Sequence, residues 1–277
     1  MLIKARVDFK KPNLKALKRK KFTVADMHVH SRYSDGVNKI KRIMNRAKKL
    51  GIGIAITDHN EIRGSIEAHK SRKVFVIPGI ETSSSEGIHA LFYFYTIKEL
   101  KNFYNSIVLP NKVKRDFFLR ISLRDIVKAS SKFKCIMAIA HPYAPGWTAM
   151  FNKIHSKIVN KNLINCFHAV EVLSACNLRK RNLRALDLAE RIKKPITAGS
   201  DAHTLMEIGK AVTYVKKEQG LNGFLNSILN NTNFVVGKER RFLPNAASQT
   251  LKVRKHLRKP YVLLKRGVRY FRAISRR

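Results

Sequence analysis

Cysteine is scarce in this chain, and acid is scarce beside base. Three cysteines among 277 residues, Cys135, Cys166 and Cys176, are an odd number without close pairing. That argues against a disulfide framework or a zinc knuckle, and they read as reduced core thiols of a cytosolic protein. No apolar run reaches the roughly 18 residues of a membrane-spanning helix. The N-terminus has lysines but no apolar segment or small-residue cleavage site, so no signal peptide is expected. No internal repeat or low-complexity tract occurs. Asp and Glu number 18 against 57 Lys and Arg, a formal net charge of +39. Residues 1–21 hold nine basic and one acidic residue, and 238–277 hold fourteen and one. Such a field favours phosphorylated substrates, nucleic acid or acidic lipid. Adaptation to a salty or hot cell interior, or a lysine-rich genome, would leave the same imprint.

What is present is an alternation of apolar runs and amphipathic stretches. The hydrophobic content of 44% is ordinary for a soluble globular protein. Strand-like segments begin near 22, 52, 74, 88, 135, 168 and 195, and short strands are expected at Val212–Val215 and Phe234–Val236. Residues 97–133 read as largely helical with a break at Pro110 and Asn111. A further helix is expected within 147–161. Over Leu178–Ile192 an amphipathic helix is expected, with Leu183, Leu186, Ala189 and Ile192 on one face. Continuous apolar strands suit a sheet covered on both sides. The alternation predicts an α/β fold, either a parallel β/α barrel or an open doubly wound sheet. Three regions follow: a basic lead-in at 1–21, a barrel at 22–237 and a basic, helical extension at 238–277.

The chemistry-bearing residues gather at the C-terminal ends of these strands, or just beyond, where β/α barrels place their sites. His28 and His30 are two apart after Phe22–Ala25 and so share a face. Asp35 follows, then His59, Glu81, His89, His141, Asp201 and His203. Six of the ten histidines are in this set. Their scatter over six strand ends favours closure, because a barrel mouth brings them together. Mixed imidazole and carboxylate donors suit zinc, manganese or iron better than magnesium or calcium. Nine ligands exceed what one tetrahedral ion uses, so two or three divalent metals are expected, with Glu81 able to bridge. Clustered cations bring a bound water to the edge of ionisation near neutral pH and offset phosphoryl charge. Asp58, Asp26 and Glu171 are candidates to orient ligating imidazoles. Arg63, Arg32 and Arg179 are candidate clamps for a substrate phosphate.

These residues resemble the polymerase and histidinol phosphatase (PHP) superfamily of metal-dependent phosphoesterases. The motifs stand in order: Asp26-Met27-His28-Val29-His30 with Ser34-Asp35-Gly36, Thr57-Asp58-His59-Asn60, Gly79-Ile80-Glu81 with His89, His141-Pro142, and Gly199-Ser200-Asp201-Ala202-His203. The resemblance covers roughly 22–215. It implies a distorted seven-stranded, TIM-like β/α barrel with a trinuclear metal centre. It also implies a ligand set: His28, His30, Glu81 and Asp201 for one ion, Asp35, His59 and His203 for a second, and Glu81, His89 and His141 for a third. Asp35 stands where some members carry histidine. The expected function is hydrolysis of phosphate esters through a metal-bound hydroxide, on nucleotides or RNA 5′ ends. Histidinol phosphate is the rival small substrate. A different class of protein, a module that binds nucleic acid or a membrane surface around a structural metal centre, is motivated by the basic tails. After Pro260, the residues Tyr261, Leu264, Val268 and Phe271 share a helical stripe that would pack on the barrel or lie on an anionic surface.

Overall fold

The apolar runs named above, from Phe22 to Val236, become strands, and the amphipathic stretch over 178–192 becomes a covering helix. The computed structural model describes residues 3–113, 117–145, 149–155, 160–216 and 220–239. The stripe after Pro260 and nearly all of the expected 238–277 extension lie outside these residues. In chain order the elements are β1 (Val7–Asp8), α1 (Leu14–Arg19), β2 (Phe22–Val29), α2 (Ile40–Leu50), β3 (Gly53–Ile56) and α3 (Arg63–Lys70). Then come β4 (Val76–Ser83), β5 (His89–Phe94), α4 (Ile97–Phe103), α5 (Leu123–Ser130), β6 (Cys135–Ile139) and α6 (Met150–His155). The last are β7 (Ala169–Ser174), α7 (Arg179–Arg191), β8 (Ile196–Gly199), β9 (Ala211–Lys216), α8 (Gly220–Leu229) and β10 (Phe234–Gly237).

The strands form one curled sheet in the order β1-β10-β9-β2-β3-β4-β5-β6-β7-β8. The seven expected strand units are β2 to β8. The sheet nevertheless has ten strands rather than seven, because β9, β10 and β1 continue it beyond β2. Residues 3–19 are thereby tied to the barrel. Val7 pairs with Val235, and the Arg6 guanidinium is buried against the Asn233 carbonyl at 3.0 Å and Asn231 Oδ1 at 3.0 Å. The expected all-parallel order is also corrected. β5 runs antiparallel to both β4 and β6. The link from Ser83 to His89 is a tight turn through Gly87 (φ 82°), far too short for the crossover that parallel strands require.

Closure comes from the two ends of the β2–β8 run. The His30 amide donates to the Ala202 carbonyl at 2.8 Å, and the Ala202 amide donates to His28 at 3.2 Å. Gly199 makes this approach possible, since a Cβ there would sit 2.4 Å from the Cβ of His28. Inside, Ala25, Met27, Ala55, Ile77, Leu91, Tyr93, Ile136 and Ala138 pack with Phe224, Leu225 and Ile228 of α8. Outside, Ile40, Ile43, Met44 and Ala47 of α2 cover β2 and β3, while Ala185, Leu186, Leu188 and Ala189 of α7 belong to the largest apolar cluster. On α7 the expected Leu186 and Ala189 are buried and Ile192 packs against the cluster, but Leu183 is exposed at 43% and Ala185 and Leu188 complete the buried face. The 97–133 segment is less helical than expected: after α4 a π-helical turn at Tyr104–Val108 and a 3-10 turn at Leu109–Asn111 end the run at Pro110. The cysteines are unpaired, Cys135 buried, Cys176 half-buried and Cys166 exposed, so the last is not the core thiol expected. Among the described residues no helix is long and apolar enough to cross a membrane.

Candidate metal centre

Two strand irregularities aim the side chains of the site. The β2–β3 register shifts between Asp26 and Val29, and the β7–β8 register shifts between Glu171 and Leu173. Bulges of this kind re-aim side chains next to functional sites. Here they bring His28 and Glu171 together, with Nδ1 of His28 2.9 Å from Oε1 of Glu171. The other Glu171 oxygen accepts the His141 amide at 2.8 Å. His141 (φ 27°) and Asp201 (φ 50°) both hold left-handed backbone, and His141 does so directly before Pro142. Such strain persists where surrounding structure over-determines it.

All nine residues proposed as ligands line the same mouth. Glu81, fully buried at the centre, has Oε1 3.1 Å from His89 Nδ1 and 3.2 Å from His141 Nε2. Its Oε2 is 3.0 Å from His59 Nδ1, 3.3 Å from His28 Nε2 and 3.4 Å from His30 Nε2. Asp201 Oδ1 is 3.2 Å from His30 Nε2, and Asp35 Oδ2 is 2.9 Å from His203 Nε2. His89 reaches the mouth from the start of its strand, not the end, because β5 is reversed. Four groups place one donor atom from each member within 4.8 Å of the others: His28, His30 and Asp201; His28, Glu81 and His141; His30, His59 and Glu81; and His30, Asp35 and His203. The overlap differs from the partition the family resemblance implies. His30 lies with Asp35 and His203 as well as with His28, and His59 lies with Glu81.

The donor set fits divalent metal ions. Both Glu81 oxygens, both His89 nitrogens, Nδ1 of His30 and Nδ1 of His141 are buried without an aligned hydrogen-bond partner. Nε2 of His28 faces Nε2 of His30 at 3.1 Å. Leaving so many polar atoms unsatisfied is costly, and shared cations would satisfy them together. The charges point the same way. Burial pushes the Glu81 carboxyl up, but His59, His89 and His28 outweigh it and hold it well below the usual range. Asp35 is likewise carried from burial to well below its usual value, by His203, His59 and His30, and Asp201 by His28, His30 and His203. Burial lowers His28, yet Glu171, Glu81 and Asp201 carry it well above an ordinary imidazole. For His59 and His89 burial wins and both fall.

The residues expected to support the ligands divide. Glu171 touches an imidazole, whereas Asp26 and Asp58 fix backbone. Asp58 accepts from the Ser31 amide (2.7 Å), Ser31 Oγ (2.6 Å) and Ser34 Oγ (2.6 Å), pinning the loop between His30 and Asp35. Asp26 accepts from the Ser200 amide, Ser200 Oγ and the Gly209 amide, and burial pushes its carboxyl up to about 6. Arg63 is paired with Glu61 at 2.9 Å and stacks over Tyr33, and Arg32 also lies over Tyr33. Arg179 is bound to Glu239 and donates to the Phe9 carbonyl. Sequence reasoning missed Phe117, whose ring lies 4.4 Å from that of His59 and 6.3 Å from that of His89. Asn60 anchors it, donating to the Phe117 carbonyl and accepting the Ser83 amide, both at 2.8 Å. An aromatic in an irregular segment gives no periodic signal.

The fold is a distorted β/α barrel with ligand-type side chains gathered at its mouth, and it is similar to the following proteins. A family model described as PHP-associated matches residues 179–233. The chain is 41% identical over 78 residues to an uncharacterized protein of Methanocaldococcus jannaschii, covering 23% of this chain and 46% of that one. A second uncharacterized protein of that organism is 26% identical over 193 residues, 69% of each chain. The chain thus spans about half the length of the first relative. Among solved structures, a two-domain Bacteroides vulgatus protein containing a predicted PHP-like metal-dependent phosphoesterase aligns with a TM-score of 0.59 at 17% identity, over 83% of this chain and 68% of that one. Endonuclease Q, solved with a 27-mer duplex bearing an abasic lesion, aligns with a TM-score of 0.61 at 16% identity, over 79% and 60% of the two chains. The expected PHP resemblance and distorted barrel are met.

Proposed function

We propose that this protein is a metal-dependent phosphoesterase acting on phosphate esters of nucleotides or nucleic acid, RNA 5′ ends and DNA strands included. One observation carries the reading: five imidazoles distant in sequence, those of His28, His30, His59, His89 and His141, converge on Glu81, Asp35, Asp201 and His203 join through His30, and buried donor atoms of Glu81, His30, His89 and His141 are left unsatisfied by protein. His28, His30, Asp35, His59, Glu81, His89, His141, Asp201 and His203 would hold two or three divalent ions, and Zn, Mn or Fe suit that donor set. When bound, such ions supply an acidic water and positive charge facing the phosphoryl oxygens. The chain's own residues hold the ring of His28 (Glu171), the loop before Asp35 (Asp58) and the segment after His203 (Glu207, whose Oε2 accepts the His203 and Thr204 amides at 2.9 Å).

Substrate choice is supported by charge and by likeness. A net charge of +39 favours polyanionic partners. The similar fold of Endonuclease Q was solved on duplex DNA, and this chain spans 60% of it. The test is His28→Ala combined with Asp201→Ala, assayed on 5′-phosphorylated RNA, duplex DNA with an abasic lesion, nucleoside bisphosphates and histidinol phosphate, with elemental analysis alongside. The expected result is loss of both turnover and bound metal. Unchanged turnover and metal content would overturn the proposal.

A further inference from the structure

Basic residues cover much of this protein, but on one face they stand without acids. Between Asp8 and Glu61 there are three acidic residues, Asp26, Asp35 and Asp58, and all three are turned into the metal centre or the backbone beneath it. Over the same stretch thirteen lysines and arginines are exposed. Among the described residues Lys10, paired with Asp8, is the one of them in an ion pair. Other helices interleave their charges, as α4 does with Glu99, α5 with Asp125 and α7 with Asp187 and Glu190. In contrast α1 carries Lys15, Lys18 and Arg19 and no acid, and α2 carries Lys41, Arg42, Lys48 and Lys49 on its exposed side and no acid.

The two helices form one surface. Leu14 and Leu17 of α1 pack into the same apolar cluster as Ile43 and Ala47 of α2. The Lys18 side chain lies over Gly51, which caps α2, within 3.5 Å of where a Cβ would be. Lys73 Nζ donates to Asn45 Oδ1 of α2 at 3.0 Å, which joins Lys73 to the patch. The face starts at the metal mouth: Lys39 is the N-cap of α2, four residues after Asp35, and the Val37 amide donates to the His203 carbonyl at 3.0 Å. From there α2 runs about 16 Å, an axial distance over which duplex DNA carries roughly nine phosphate charges.

The chemistry of the face selects among polyanions. A helix lying on a membrane needs an apolar side turned outward. Here the apolar sides of α1 and α2 are spent on the core. A single strand is held by aromatic platforms on which bases stack, and α1 and α2 hold no aromatic residue. A duplex stacks its own bases and presents phosphates.

We infer that the α1–α2 face is a docking surface for the phosphate backbone of duplex DNA leading into the metal centre. The inference rests on the phosphoesterase reading above, and the choice of DNA over RNA on the similar fold of Endonuclease Q, solved on duplex DNA. The test uses the full chain, with Lys41→Glu, Arg42→Glu, Lys48→Glu and Lys49→Glu combined. A second variant reverses the same number of charges elsewhere: Lys98→Glu, Lys101→Glu, Arg124→Glu and Lys128→Glu, on α4 and α5. Binding to a 20-base-pair DNA duplex is read by fluorescence anisotropy between 50 and 300 mM salt. A 20-base-pair RNA duplex, a 20-nucleotide single strand and anionic vesicles serve as comparisons. Thermal melting checks that both variants fold. The α2 variant should bind the DNA duplex at least tenfold more weakly and with a shallower salt dependence, while the α4–α5 variant changes less than threefold. Equal losses in the two variants would mean that total charge, not this face, does the binding, and would overturn the inference. So would tighter binding of the RNA duplex, the single strand or the vesicles than of DNA. Turnover of a small ester, thymidine 5′-monophosphate p-nitrophenyl ester, should be the same in the α2 variant and wild type. If wild type bound duplex on this face but cleaved no ester, the phosphoesterase reading would fail and the docking surface would stand.

Discussion

Glu171→Gln is the substitution that best exposes how the metal centre is supported. Both Glu171 oxygens face N–H donors: Oε1 meets His28 Nδ1 at 2.9 Å, and Oε2 accepts the His141 amide at 2.8 Å. Glutamine keeps the shape but offers one acceptor and one NH2. If the NH2 turns to His28, the ring must accept at Nδ1 and carry its proton on Nε2, the nitrogen that faces Glu81 and His30. A protonated Nε2 cannot ligate. If the NH2 turns to His141 instead, a buried amide proton loses its partner, at a cost of about 1–3 kcal/mol. Either route weakens metal binding by roughly 10–100-fold, or about 1.4–2.8 kcal/mol. Competition titration of Zn and Mn against a chromophoric chelator measures this directly. Affinity within twofold of wild type would refute the assigned role of Glu171.

Other expectations follow from the same geometry. Gly199→Ala would set a Cβ 2.4 Å from that of His28 and 2.6 Å from its amide nitrogen, so thermal melting should show a loss of at least about 2 kcal/mol and reduced metal content. Asn60→Ala removes both bonds of its side chain, to Phe117 and Ser83, and should cost about 1–3 kcal/mol while hydrogen exchange at residues 117–119 speeds up. Without metal, His28, His30 and His141 have pKa values raised above the ordinary imidazole value, burial notwithstanding, by Glu171, Asp35 and Glu81 respectively among the nearby acids. Their stabilising contribution is full below about pH 6.5 and is lost as pH rises through their raised values. Metal must displace those protons, so its affinity should rise with pH, and calorimetry in buffers of different ionisation enthalpy should record proton release. Chelator should lower the melting temperature, with a hundredfold excess of metal over Kd restoring about 2.7 kcal/mol.

Much of this site could be read from the chain because its ligands sit at strand ends, where period-two spacing and turn residues leave a local trace. His28 and His30 illustrate that, and the ordered motifs extended it to Glu81, His141 and Asp201. The support beneath was less visible. Asp58 and Asp26 looked like partners for imidazoles, yet each closes a loop, because which lone pair meets which amide depends on bulges that sequence does not mark. The reversal of β5 follows from a short Ser84–Ile88 turn, and a run of β-prone aromatics has no direction of its own. Leu183 fits a helical stripe as well as Leu186 does. Packing against β7 decides that α7 buries Ala185 and Leu188 beside Leu186 and leaves Leu183 out. β9 and β10 match the short strands expected at Val212–Val215 and Phe234–Val236, whereas β1 joins the sheet by long-range pairing, for which the two-residue edge Val7–Asp8 carries no pattern.

The central claim is that these residues gather divalent ions around Glu81. Crystals grown with Mn or Zn and measured at the metal's absorption edge test it most directly. The account predicts two or three anomalous peaks within coordination distance of Glu81, His30, His141 and Asp201. A metal-loaded crystal with no peak among those side chains would contradict it.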